Sequence, residues 1–143
     1  MRKNRIALIG SFRKHYNIIL DIYRIFDSAC FKITTPLGYD IITGDENKEF
    51  VRFVSDNKHF TDSQIESIAI KRIMIADIVY VIAPDGYIGR TTSYEIGCVI
   101  QSRHPIYFSE RIKDLPIHIP SKFIVDASQL INLVNNKNIN FLY

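Results

Sequence analysis

Ile78-Val79-Tyr80-Val81-Ile82-Ala83-Pro84-Asp85-Gly86-Tyr87-Ile88-Gly89-Arg90-Thr91-Thr92-Ser93-Tyr94-Glu95-Ile96-Gly97 decides the fold. An unbroken apolar run of strand length, Ile78 to Ala83, reads as a strand buried on both faces. It empties into a glycine loop and then a helix. That order brings backbone N–H groups and a helix N-terminus to the carboxyl end of a sheet, where α/β proteins bind anionic ligands. Glu95 falls in the first turn of the expected helix. A carboxylate repels a phosphate, so its place beside an anion cradle suits attack on a sugar carbon whose phosphate or hydroxyls are held next door. Thr92-Ser93-Tyr94-Glu95 fits a capping box equally well, with the glutamate returning to the N-cap amide. Gly86 and Gly89 permit close backbone approach, and Gly97 leaves room beside the helix, which a plain cap does not require.

Working outward, Ile6 to Ile9 closed by Gly10-Ser11 reads as a first buried strand. Ile18, Ile22, Ile25, Phe26 and Ala29 recur at helical spacing and predict an amphipathic helix over about 14–29. Phe31 to Thr35 is the expected second strand. Residues 36–60 carry no sustained period, although 49–55 fits a helical turn. Thr61-Asp62-Ser63-Gln64 matches a capping box, and Ile65, Ile68, Ala69, Ile73 and Ala76 continue a helix to about Ala76. The third helix is expected near Thr92, the fourth strand over 105–108 and a fifth over 122–125. Asp126 then caps a last helix bearing Ile131 and Val134. Such alternation predicts one α/β domain over 1–143, a doubly wound parallel five-stranded sheet with helices on both faces.

With 18 basic against 15 acidic residues among 143, the +3 charge is small, and the basic residues are scattered rather than gathered into a stripe. That argues against nucleic acid as a partner and is explained by a small anionic ligand. Cys30 and Cys98 lack metal-like spacing and sit among apolar residues, as in a reducing compartment. Ile6 to Ile9 is too short for a signal peptide, and no segment is apolar enough to span a bilayer, so a soluble, cytoplasmic protein without membrane contact is expected. His15, His59, His104 and His118 are far apart, so no metal site is expected. Nothing in the pattern calls for a cofactor.

In the expected sheet the loops after the strands converge, so Gly10, Ser11, Phe12 and Arg13 should share a pocket with Asp85, Gly86, Tyr87, Gly89, Thr91 and Thr92. Ser11 and Arg13 offer a hydroxyl and a cation to an anion, although Gly10-Ser11 also suits a plain βα turn. Tyr39 and Phe60 flank the long connection and suit either stacking on a base or packing on their own domain.

The Gly10-Ser11-Phe12 turn, the run Ile75-Ala76-Asp77-Ile78-Val79-Tyr80-Val81, and Gly86-Tyr87-Ile88-Gly89 followed by Ser93-Tyr94-Glu95-Ile96-Gly97-Cys98 resemble the nucleoside 2-deoxyribosyltransferase family and its relatives, the 2'-deoxynucleoside 5'-monophosphate N-glycosidases. The resemblance covers about residues 5–110. It implies a flavodoxin-like or Rossmann-like sheet and cleavage of the bond between base and deoxyribose in a nucleoside or nucleotide. It also implies Glu95 as nucleophile, Asp77 as the assisting acid, and Ser11, Arg13, Thr91 and Thr92 on a 5'-phosphate or sugar hydroxyl. An aspartate that follows a helix C-terminus also meets an unfavourable dipole, which raises its proton affinity; a purely structural Asp77 bonded to nearby backbone is the alternative. The sequence departs from the family where a strand-one tyrosine falls on Ala7 and a polar residue six positions before the nucleophile falls on Gly89, with Tyr87, Arg90 or Thr91 as replacements.

Two other readings stay open. One is a lysine-decarboxylase-like phosphoribohydrolase, whose Pro-Gly-Gly-x-Gly-Thr-x-x-Glu motif loosely resembles Pro84 to Glu95. The other is a nucleotide-sensing module without turnover. A homo-oligomer is expected from the apolar excess at 65, 68, 69, 70, 73, 74, 75 and 76 and from the apolar segment Ile139 to Tyr143.

Overall fold

The computed structural model describes residues 2–37 and 57–143. Strands β1 (Arg5–Gly10), β2 (Lys32–Thr35), β3 (Ile78–Ile82) and β4 (Ile106–Phe108) form one parallel sheet in the order β2-β1-β3-β4. Helices α1 (Phe12–Ser28), α2 (Asp62–Met74), α3 (Arg90–Gln101) and α4 (Ala127–Asn135) alternate with them. The chain steps from β1 to β2 in one direction and from β1's other neighbour, β3, to β4 in the opposite one. Right-handed crossovers therefore put α1 on one face and α2 and α3 on the other. The contacts agree, since α1 packs on α4 and α2 on α3. The order reverses between β1 and β3, which fixes where a ligand crevice opens.

Ile6, Ala7, Leu8 and Ile9 of β1 and all five residues of β3 are buried, as expected of central strands covered on both faces. Gly10 is required where β1 ends, because a Cβ there would stand 2.6 Å from the Ile82 carbonyl oxygen. The expected capping box forms at α2 between Thr61 and Gln64, and the expected Asp126 cap of α4 is completed as a box by Gln129. Between β4 and α4, Arg111 donates to the Ile119 carbonyl at 2.9 Å and ties down an otherwise irregular connection. The helical turn expected over 49–55, and Tyr39 with it, lie outside the described residues.

Two expectations require correction. The fifth strand is reduced to one parallel bridge between Phe108 and Ile124. Pro120 instead starts a short 3-10 turn over Ser121–Phe123, which takes up the amides of Phe123 and Ile124, and Asp126 caps α4 directly afterwards. Helix α3 begins at Arg90 with Gly89 as its N-cap, two residues before the expected start near Thr92. Glu95 therefore sits in the second turn and is not the third residue of a capping box.

No helix among the described residues is long and apolar enough to cross a membrane.

Candidate active site

A cavity of about 270 Å³ opens at the carboxyl ends of β1 and β2, between the start of α1, the face of α2 and the start of α3. The chain reaches it from four directions. Leu8 to Arg13 supply the β1 end and its turn; Thr35, Pro36 and Leu37 the β2 end; Ile65, Glu66, Ala69 and Arg72 the α2 wall; Tyr87, Gly89 to Thr92 and Glu95 the opposite wall. Of the residues expected there, Gly10, Ser11, Phe12, Arg13, Tyr87, Gly89, Thr91, Thr92 and Glu95 are brought together.

Two helix N-termini meet at the cavity rim without the side chains that ordinarily occupy them. Ser11 is the N-cap of α1 and Gly89 that of α3; neither makes a side-chain cap bond, and neither first turn holds an acid. First-turn amides of an uncapped helix, with the positive end of its dipole, favour an anion. Thr92, only 2 % exposed, lines the cavity beside them. Gly89 keeps the space open: a Cβ there would lie 3.9 Å from Ser11 Oγ and 4.0 Å from Tyr87 Oη. Tyr87 is held from behind, with Lys14 Nζ 3.8 Å from its ring centroid and the His15 ring edge-on at 5.7 Å. His15 itself interrupts the helical dihedrals of α1, and burial together with neighbouring Lys14 lowers its pKa.

The floor is acidic. Glu95 is 8 % exposed, and its carboxyl lies close enough to that of Glu66 on α2 for each to perturb the other. Two interacting carboxylates resist ionising together, so they titrate as a pair. Burial is the largest influence on each and raises both. The charge and hydrogen bond of Glu66 push Glu95 well above the ordinary carboxylate range. Glu66 Oε1 is buried without a hydrogen-bond partner among the described residues, so a proton on the pair would satisfy it.

Sequence reasoning missed Glu66. Its signal was positional: it stands three residues before Ala69 and seven before Ile73, on the inward side of α2, where an acid interrupts an apolar stripe. Arg72, on the same face, was missed for the complementary reason, since a basic residue in the last turn of a helix passes as a partner for the dipole.

Asp77, Asp85 and Gly86 are not brought into the cavity. Asp77 lies at the amino end of β3, accepting from the Arg5 backbone N–H at 2.9 Å and from the Arg5 guanidinium at 3.2 Å, with Arg2 as a further partner. β1 runs from Arg5 to Gly10, so the sheet separates Asp77 from the cavity by roughly 16 Å. Burial works to raise its pKa, but the Arg5 hydrogen bonds and the charges of Arg5 and Arg2 outweigh it and hold the carboxyl below its usual value. This is the reverse of the proton affinity expected of an acid catalyst. Asp85 is exposed at φ 59°, and Gly86, at φ 75°, packs against the β4–α4 connection, where a Cβ would meet Arg111 O at 2.5 Å. Both shape the loop's outer side because the chain turns from β3 toward residues 111–113 before doubling back to Gly89.

A stability prediction follows for Asp77. A carboxyl with a lowered folded pKa contributes stability above its unfolded value, 3.8, and loses it as pH falls through the folded value. Asp77→Asn should therefore destabilise the protein at neutral pH by on the order of 1 kcal/mol, with little effect at low pH, since the site is part-exposed. Chemical denaturation at pH 7 and pH 3 measures this; an unchanged midpoint at pH 7 would show the ion pairs to be idle.

Ala7, at the family's tyrosine position, is fully buried and does not line the cavity. Among the described residues, the phenol on the cavity wall is that of Tyr87, from the loop after β3. Compared with known proteins, the chain matches no family model and none of the curated proteins.

Proposed function

We propose that this protein cleaves or transfers the N-glycosidic bond of a nucleoside, nucleotide or related metabolite, with Glu95 as the nucleophile. The observation that carries the reading is the closely interacting Glu66–Glu95 pair at the floor of a cavity whose rim is cationic and rich in backbone amides. Glycoside chemistry by retention needs one ionised carboxyl to attack the anomeric carbon and one protonated carboxyl to assist the leaving group. A pair sharing a single proton holds both forms at once. Glu95 attacks the anomeric carbon, the glycosidic bond breaks, and the electron pair leaves with the base, which takes the proton from Glu66. Water or an acceptor base then opens the glycosyl ester.

The cationic rim suits a phosphate on the substrate. Ser11, Arg13, Thr91, Thr92 and the first amides of α1 and α3 supply donors at one side of the cavity. Glu66 takes the acid role expected of Asp77. Incubating the protein with a panel of nucleosides and their 5'-monophosphates, and measuring free base, tests the reading; no base from any of them would overturn it.

A second reading is favoured by one observation. Burial, with Glu66 beside it, raises the pKa of Glu95 well above the ordinary carboxylate value and so favours the protonated form, a hydrogen-bond donor rather than a nucleophile. A nucleotide-binding module without turnover would use it so. Thermal stabilisation by nucleotide without base release separates the two.

The proposal includes assembly into a homo-oligomer. Ile75, the C-cap of α2, is 53 % and Tyr94 on α3 60 % exposed, and a Cβ on Gly97 would meet nothing within 4 Å, so this side of the domain offers apolar surface with room for a close neighbour. Phe141 and Tyr143 are exposed as well. Sedimentation at micromolar concentration should give a species at least twice the 16.6 kDa chain mass, and a ligand-independent monomer would rule this out.

A further inference from the structure

We infer that Arg72 reads the leaving base and selects one whose outer edge carries hydrogen-bond acceptors, a 6-oxopurine in preference to a 6-aminopurine. The inference rests on placing a nucleotide in the cavity as proposed above. Ile65, Glu66, Ala69 and Arg72 occupy one face of α2 and all line the cavity. Six residues separate Glu66 from Arg72, roughly 9 Å along the helix. Between them the wall is Ala69, and Pro36 and Leu37 line the same cavity, so apolar groups that suit a flat heterocycle accompany the carboxyl pair and Arg72.

Among the described residues the Arg72 guanidinium has no ion-pair or hydrogen-bond partner. It does not act on the carboxyl pair either, since the groups that perturb Glu66 and Glu95 are burial, each other and Cys98. Among the described residues nothing claims this cation, and Arg72 lines the cavity. With the anomeric carbon held at Glu95, the leaving base extends away from the phosphate side, and its far edge meets Arg72. A guanidinium has five donors and no acceptor. It pairs in bidentate fashion with the O6 and N7 acceptors of a 6-oxopurine, whereas a 6-aminopurine turns an N6 donor toward it and leaves both donors opposed. Glutamine at this position reverses the logic, because its amide matches the N6 and N7 edge of adenine.

The test compares 2'-deoxyinosine and 2'-deoxyadenosine 5'-monophosphates, which differ on this edge, in two readouts. Calorimetric binding uses Glu95→Gln, where no turnover intervenes; base release uses the otherwise unaltered protein. The oxo nucleotide should bind roughly tenfold or more tightly. In Arg72→Gln that ratio should fall to one or invert, which a purely helix-stabilising arginine would not produce. Replacing N7 by carbon in the oxo nucleotide should weaken binding to the arginine form and leave the same compound's affinity for Arg72→Met unchanged. Equal binding of the two nucleotides, no binding of either, or a ratio indifferent to residue 72 would each overturn the inference. Base release with an indifferent ratio leaves the glycosidase reading standing alone; selective binding with no base release overturns that reading and keeps Arg72 as the selector.

Discussion

Glu95→Gln should abolish turnover by at least ~100-fold and, at the same time, make the protein more stable at neutral pH. The loss follows from replacing the attacking carboxylate by an amide of the same shape, so nucleotide binding should survive. The gain follows from linkage. A carboxyl whose folded pKa is raised contributes its stability in full below the unfolded value, 4.5, and loses it as pH rises through the folded one. At neutral pH the folded protein therefore carries a penalty for keeping this carboxyl buried beside Glu66, and glutamine removes it while still able to hydrogen-bond Glu66. Melting curves of the two forms should lie close together below about pH 4.5 and diverge above it, each kcal/mol relieved raising Tm by roughly 4 °C in a domain of this size. Turnover retained in Glu95→Gln would end the nucleophile role. Lost turnover with lowered stability at every pH would mean that the carboxyl is a structural acceptor.

A capping residue predicts a different pair of results. Glutamine completes a capping box as well as glutamate does, so both activity and stability would stay near their starting values. The position of Gly89 as the N-cap already removes that reading on geometry. The sequence did not disclose this, because Thr92 to Glu95 satisfies the capping pattern as written and only the path of the backbone through Tyr87 and Ile88 decides where the helix begins.

What was legible was what local chemistry controls. The continuous apolar runs of β1 and β3 and the reciprocal caps at Thr61 and Asp126 appear where their residues place them, because each is a decision among near neighbours in the chain. The turn after β1 and the approach to α3 were legible for the same reason, and topology then brings them together at the strand-order reversal. The fifth strand was not. Val125 and Ile124 have strand-like residues around them, but Pro120 commits the preceding amides to a turn and leaves a single bridge to Phe108. The acid partner of Glu95 was not legible either. Asp77 is the nearer carboxylate in sequence and follows a helix end, yet a parallel strand carries it to the far side of the sheet, into the reach of Arg5. Glu66 is farther in sequence but enters through the packing of α2 on α3, a contact that no local pattern specifies.

Glu66→Gln should therefore alter the pH dependence of base release rather than merely its level. In the original pair the active form carries one proton. Acid fills both carboxyls and removes the nucleophile; alkali empties both and removes the acid, so the profile is bell-shaped, with limbs that belong to the pair and not to either residue. Burial raises both carboxyls, and Glu66 raises Glu95 further, so the window lies above the ordinary carboxylate range. With glutamine at residue 66 the alkaline limb should vanish, because no second carboxyl remains to lose its proton. The acidic limb should move to lower pH, because the charge that opposed ionisation of Glu95 is gone while its burial persists. Turnover of ordinary nucleotides should fall by roughly 100-fold, the usual worth of a positioned proton donor. Substrates whose base departs without protonation should lose far less, since they never needed the proton. A residue that only packed beside Glu95 would lower both substrate classes together and leave the shape of the profile intact, and that outcome would remove Glu66 from the chemistry.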